Sequence, residues 1–287
     1  MKKSTLAALV ALAAVAVSCR KDHLEKQAGN PLTDAAVSAA AQDNLPETSP
    51  AVMKVVTNNV GNNVSGYVAG LPARYDSTSK NYPLLVFIHG MGQLSSGTAK
   101  LSSISETGVA KLLQQQQFPA SFNVNGKAHS FIVAAPQFAN WATAADVNSF
   151  IDYMVETYRV DAGRIYIAGF NMGGAVAWEF AGAHPDKVAA IIPIAGPSWA
   201  DEKRSSTIAS NGIGVWAFHN TEDKVVLADV SKKIIEKVNS FNPKSAAKLT
   251  LFNSGEHDAW TKATDPSYKE NGLNIYEWML QFSKSAK

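Results

Sequence analysis

The 287-residue sequence predicts an α/β fold: a doubly wound, mostly parallel sheet with helices on both faces. Three observations carry that prediction. Short unbroken apolar runs recur from Leu84 onward, and strands that lack alternation are buried on both faces. Stretches of helical pattern separate these runs. Residues able to do chemistry fall just past the runs, where doubly wound sheets place their sites. Composition agrees, since 46% hydrophobic and 17% charged residues exclude a disordered, collagenous or coiled-coil chain. A domain of this size buries roughly three quarters of its unfolded surface and needs no disulfide staples. The single cysteine, Cys19, rules out an intrachain disulfide.

The N-terminus reads as an address. Lys2 and Lys3 precede the apolar run Leu6 to Val17, which is shorter than the roughly 20 residues that span a bilayer. Ala16-Val17-Ser18-Cys19 resembles a bacterial lipobox. Residues 1–18 are therefore expected to be a lipoprotein signal peptide, with Cys19 lipidated and anchored to a membrane of the bacterial cell envelope. An ordinary signal peptide with an incidental cysteine is the alternative. Residues 19–51, rich in Ala, Ser, Thr, Asp, Asn and Pro, are expected to be a flexible tether. Without Lys2 and Lys3 the 26 basic side chains fall to 24, equal to the 24 acidic ones. That balance gives no electrostatic case for nucleic acid. The sequence is silent on oligomeric state.

The domain is expected over 52–287. Val55-Val56 and Val64 to Val68 suggest an antiparallel hairpin. Leu84 to Ile88, Phe131 to Ala135, Arg164 to Ala168, Ala189 to Ile194, Val215 to Phe218 and Lys248 to Phe252 are the expected buried strands. Helices are expected at about 105–117, 144–158, 173–184, 226–239 and 273–284. Trp178 and Trp278 fall on helices and read as core.

Gly169-Phe170-Asn171-Met172-Gly173 joins a strand to a helix in the manner of a nucleophile elbow, G-x-S-x-G, with Asn171 where serine belongs. Asp223 and His257 each follow a later strand, and nucleophile, acid, histidine is the chain order of α/β hydrolases. With Tyr82 to Gly90, Val133 to Gln137, Val160 to Tyr166, His257 to Trp260 and Tyr276 to Leu280, the chain resembles the α/β-hydrolase superfamily. Within it, the likeness is to the branch of secreted esterases, dienelactone hydrolases, polyhydroxyalkanoate depolymerases and predicted peptidases. The resemblance implies an ester as substrate or ligand, on a polymer, an acylated glycan or a small molecule. It implies that Asp223 orients His257, and that the Met91 and Met172 N–H groups form an oxyanion hole.

Asn171 changes that chemistry. An amide nitrogen shares its lone pair with the carbonyl and is a poor nucleophile, so a covalent acyl-enzyme route is closed. Asn is also one of the few non-glycine residues that tolerate the positive φ expected at the elbow. Its amide can donate to His257 Nε2. Three accounts stand: a degenerate hydrolase that binds but barely turns over, an enzyme in which His257 and Asp223 activate water directly, and a variant of an active serine enzyme. Ser95, Ser96 and Ser198 lie off the elbow and read as loop serines.

Other residues are weighed the same way. Glu222 and Asp229 neighbour Asp223, but the family pattern of Asp followed by a Val pair selects Asp223. Asp258 reads as solvated, His89 as a structural residue of the oxyanion loop and His219 as a buried, satisfied histidine. Trp141 and Trp199 follow strand ends and are candidate pocket walls, whereas Trp260 reads as packing. No set of His, Asp and Glu has ligand spacing, so neither metal nor cofactor is expected.

Overall fold

Five of the six expected buried strands lie inside an eight-stranded sheet in the computed structural model, which describes residue 43, residues 45–96 and residues 101–285; the sixth, Lys248 to Phe252, is instead an edge strand with one flank uncovered, so it is only partly buried. The expected signal peptide, Cys19 and most of the tether lie outside the described residues. The strands are β1 (Val52–Val56), β2 (Val64–Leu71), β3 (Tyr82–Ile88), β4 (Phe122–Val124), β5 (Lys127–His129), β6 (Ile132–Phe138), β7 (Val160–Phe170), β8 (Ala190–Ile194), β9 (Gly214–Asn220) and β10 (Lys248–Phe252). The large sheet runs β1-β2-β6-β3-β7-β8-β9-β10, and β4 with β5 makes a separate small hairpin. From β6 to β10 every neighbouring pair is parallel, while β1–β2 and β2–β6 are antiparallel. From β3 the chain goes first to β6 on one side and then to β7 on the other. The carboxyl end of β3 is thus the topological switch point, where a crevice opens.

Alternate residues of one strand feed two cores. Leu84, Val86 and Ile88 of β3 join the cluster under helices 144–157 and 172–183. Leu85 and Phe87 join the cluster under helices 108–114 and 275–279. All seven residues of β3 are buried, as an unbroken apolar run requires. Trp178 and Trp278 lie in these cores, as expected.

Several boundaries differ from expectation for physical reasons. β6 continues through Pro136 because its pairing with β3 ends at Ala134, so the missing N–H costs no ladder bond on that side. The expected helix at 273–284 is only Ile275–Met279. Beyond it the chain straightens along β7, with Tyr166 Oη donating to the Phe282 carbonyl at 2.7 Å and Lys284 N–H to the Gly163 carbonyl at 2.8 Å. Helix 105–117 shortens to Gly108–Gln114, preceded by a 3₁₀ turn at Ser103–Glu106. Helix Glu202–Ser210 escapes a periodicity search because only Ser205, Ile208 and Ala209 of it are buried. Its start is marked by Asp201, whose side chain caps Arg204 N–H.

The expected tether ends earlier than residue 51. Asp43 accepts from the N–H and hydroxyl of Ser79, and its carbonyl from Lys80 Nζ. Glu47 is buried and accepts from Arg74 N–H at 3.0 Å. These contacts lie beside the start of β3, so Asp43 and Glu47 are held to the folded domain. Among the described residues no helix is long and apolar enough to cross a membrane.

Candidate active site

Asn171 sits on the bend between β7 and helix Met172–Ala183, at φ 51 and ψ −116. Its N–H donates to the Ile194 carbonyl of β8 at 3.0 Å, which pins the bend to the neighbouring strand. Close approach demands glycine on both sides. A Cβ at Gly169 would lie 2.6 Å from the Gly173 carbonyl carbon, and one at Gly173 would lie 2.1 Å from the Ile88 carbonyl oxygen. Helix 172–183 therefore starts directly against the end of β3. Met172 is its first residue, so the Met172 N–H is one of the orphan donors at a helix N-terminus.

His257 and Asp223 meet at this bend. Asn171 Nδ2 lies 2.9 Å from His257 Nε2, and His257 Nδ1 lies 2.7 Å from Asp223 Oδ2. Asp223 is buried, and burial alone would raise its pKa. Hydrogen bonds from His257 and from Val226 and Val225 N–H, the latter two on Oδ1, outweigh this and hold the carboxyl below its ordinary range. An ionised Asp223 fixes the His257 tautomer with the proton on Nδ1, which leaves Nε2 as acceptor for the Asn171 amide. Thr221 N–H to Phe252 and Glu222 N–H to Ser254 lock the Asp223 loop to the His257 loop. Asn220 Nδ2 adds a bond to the Glu256 carbonyl at 2.7 Å.

The oxyanion side is already engaged. Met91 N–H donates to Asn171 Oδ1 at 3.2 Å. The carboxamide thus bridges the expected oxyanion donor and the expected base. The family resemblance brings both residues to the site, but the bond between them follows from the carboxamide that stands at 171 in place of a hydroxyl.

His89 is structural, and its tautomer follows from its contacts. Nδ1 pairs with the Gly90 carbonyl at 2.8 Å, and Nε2 accepts Phe138 N–H at 3.0 Å. A neutral ring therefore staples the Met91 loop to β6. Burial lowers its pKa to about 4. The unfolded chain takes up this proton near pH 6.5, and the folded one only near 4, so stability falls as pH drops below 6.5. At about pH 5 the loss is roughly 2 kcal/mol from this residue. Urea unfolding at neutral and mildly acid pH checks it. His89→Gln should lose about that much less than the parent on acidification, and equal losses would refute the assignment.

His219 is buried, with Nδ1 2.7 Å from Ser231 Oγ and Nε2 2.8 Å from the Val226 carbonyl. Burial lowers its pKa too, so it backs Asp223 as a neutral ring.

A cleft of about 420 Å³ opens over Asn171 and His257. Its other walls are Gly90, Met91, Gly92, Gln93, Glu106, Thr107, Phe170 and Trp260. Trp260 stacks on Phe170 at 4.3 Å and meets His257 edge-on at 5.3 Å, so it packs and lines the cleft at once. Phe170, Gln93, Glu106 and Thr107 were not singled out from sequence. Of these, Phe170 had a signal, being next to Asn171. Gln93 Nε2 bonds the Ser103 carbonyl at 2.6 Å and Thr107 Oγ1 at 3.2 Å, which draws the far wall in.

The two tryptophans expected as pocket walls do not line this cleft. Trp141 is exposed beside the start of helix 144–157. Trp199 lines a different groove, with Val225 and Leu227. Arg204 holds it there, donating to the Trp199 carbonyl and placing its guanidinium 5.1 Å from the ring. Arg204 also donates to Ser198 Oγ at 3.0 Å, and Ser198 lines the Trp199 groove rather than the cleft over His257. Among the described residues no three His, Cys, Asp or Glu side chains converge as metal ligands.

Comparison with known proteins adds the wider setting. The family model described as the alpha/beta hydrolase fold matches residues 83–282. A bifunctional acetylxylan esterase/xylanase of Neocallimastix patriciarum is 26% identical over 147 residues, which is 51% of this chain and 20% of that protein. The chain therefore spans a fifth of that relative. The structure of a thermostable esterase superposes with a TM-score of 0.57 at 22% identity, covering 82% of this chain and 64% of that one. A ferulic acid esterase superposes with a TM-score of 0.55 at 18% identity, covering 76% of this chain and 95% of that one. At these identities the superpositions bear on the fold.

Proposed function

From the premise that this chain belongs to the alpha/beta hydrolase family, we propose that its cleft is that of a carboxylic-ester hydrolase whose nucleophile has been replaced. In this reading it binds an ester or acylated glycan and hydrolyses it slowly or not at all. The observation that carries the reading is the Asn171 carboxamide, held between Met91 N–H and His257 Nε2. It fills the place of a nucleophile without being one. The acetylxylan esterase among its relatives supports an acyl ester as the ligand class. The Phe170–Trp260 stack in the cleft wall suits a flat acyl group or sugar face.

The intact His257–Asp223 pair supports a second reading, in which that pair activates water directly. One assay separates them: p-nitrophenyl acetate hydrolysis by the protein and by Asn171→Ser. A gain with serine supports the disabled nucleophile. A high rate without serine that vanishes in His257→Ala supports activated water.

The N-terminal residues support a further part of the proposal, a lipid anchor at Cys19 that holds the domain to the cell envelope. Cys19→Ala is expected to move the protein from the membrane to the soluble fraction of bacterial cells. An unchanged membrane fraction would reject the anchor.

A further inference from the structure

A carboxamide is itself an acyl compound, with a carbonyl carbon, an oxygen and a nitrogen leaving group. Asn171 presents those atoms to the cleft as an amide substrate would. Its Oδ1 receives the Met91 N–H at 3.2 Å, where a developing oxyanion is stabilised. Its Nδ2 lies 2.9 Å from His257 Nε2, the position from which an imidazole returns a proton to a departing amine. His257 is braced by the buried Asp223 at 2.7 Å. The bend that carries the amide is fixed by the Asn171 N–H bond to Ile194 and lines a cleft open to water. A base and an oxyanion donor for amide hydrolysis are in place, and the amide in reach is the protein's own.

We propose that Asn171 is a self-modification site, whose carboxamide is hydrolysed in place to a carboxylate with release of ammonia. A water replaces Nδ2–H as the partner of His257 Nε2. Its oxygen bonds to Cγ as Nε2 takes one of its protons, and the carbonyl electron pair moves onto Oδ1 against Met91 N–H. Collapse restores the carbonyl and breaks the Cγ–Nδ2 bond, and His257 delivers its proton to the leaving nitrogen. The acid formed gives its proton to ammonia. One carboxamide and one water thus yield one carboxylate and one ammonium ion. The product suits its surroundings. One oxygen keeps the Met91 N–H, and the other accepts from His257 when Nε2 takes up a further proton from solvent.

The test is a mass measurement that needs no added substrate. Trypsin cuts after Arg164 and Lys187, and Asn171 is the only Asn or Gln between them, so that peptide reports this position alone. The purified protein is held at neutral pH in water enriched in the heavy oxygen isotope, and the peptide is followed with time. The expected result is an acid carrying one heavy oxygen, in normal α-linkage, formed at least about 100-fold faster than in His257→Ala. Asp223→Asn should slow it as well. The proposal is overturned if the amide persists, if His257→Ala converts at the same rate, or if the product is isoaspartyl, which marks cyclisation onto the Met172 nitrogen. The outcome is independent of the esterase reading. A persistent amide leaves a gain on Asn171→Ser untouched, and an inert serine variant leaves the mass result untouched.

Discussion

Asn171→Ser is expected to raise p-nitrophenyl acetate hydrolysis by roughly 10³-fold, about 4 kcal/mol of barrier. Two effects add in the same substitution. Serine brings a hydroxyl to a bend whose neighbour, His257 Nε2, is already within hydrogen-bonding distance of the residue there. It also removes the carbonyl oxygen that now occupies Met91 N–H, so that donor becomes free for the substrate. The rest of the apparatus needs no rebuilding, because Asp223 already holds His257 through Nδ1. Adding His257→Ala to the serine variant should erase the gain. Equal rates with Asn and Ser at 171 would mean that the reacting centre lies elsewhere.

Gly173→Ala is expected to cost about 3–5 kcal/mol in urea unfolding, which places it among the severe single substitutions. The added Cβ would meet the Ile88 carbonyl oxygen at 2.1 Å, the Ile88 carbonyl carbon at 2.7 Å and Ile88 Cβ at 2.9 Å. Neither side can yield cheaply. Ile88 is fully buried in a central strand, in register with Gly169 of β7. Helix 172–183 is buried along most of its length. Gly92→Ala is the comparison, since a Cβ there meets nothing within 4 Å, and it should change stability by less than about 0.5 kcal/mol. An unchanged unfolding midpoint for Gly173→Ala would contradict the close seat of helix on strand.

The sheet and the bend were legible in the sequence because their signals are local. Leu84 to Ile88 has no polar residue, so it could only be a strand covered on both faces. Gly169 and Gly173 flank position 171 because backbone passes backbone there. Walls built by loops were not legible. Trp199 and Trp260 both fall shortly after a strand, but where a loop carries a side chain depends on partners such as Arg204 and Phe170, which periodicity does not reveal. The seat of Glu47 was hidden for a similar reason. Its partner Arg74 is 27 residues away, and a lone acidic residue in a polar stretch looks solvated. The contact that matters most for the chemistry, Met91 N–H to Asn171 Oδ1, spans 80 residues and needed coordinates.

Asp43 seats beside Ser79 and Lys80, next to the start of β3, whereas the cleft opens past the other end of that strand. Seven residues of strand put roughly 20 Å between them. A sensor chip, bead or fusion partner attached at Asp43 would therefore grip the molecule from behind. The cleft would point into the bulk liquid, and soluble glycan or ester panels could be flowed over it without blockage by the support.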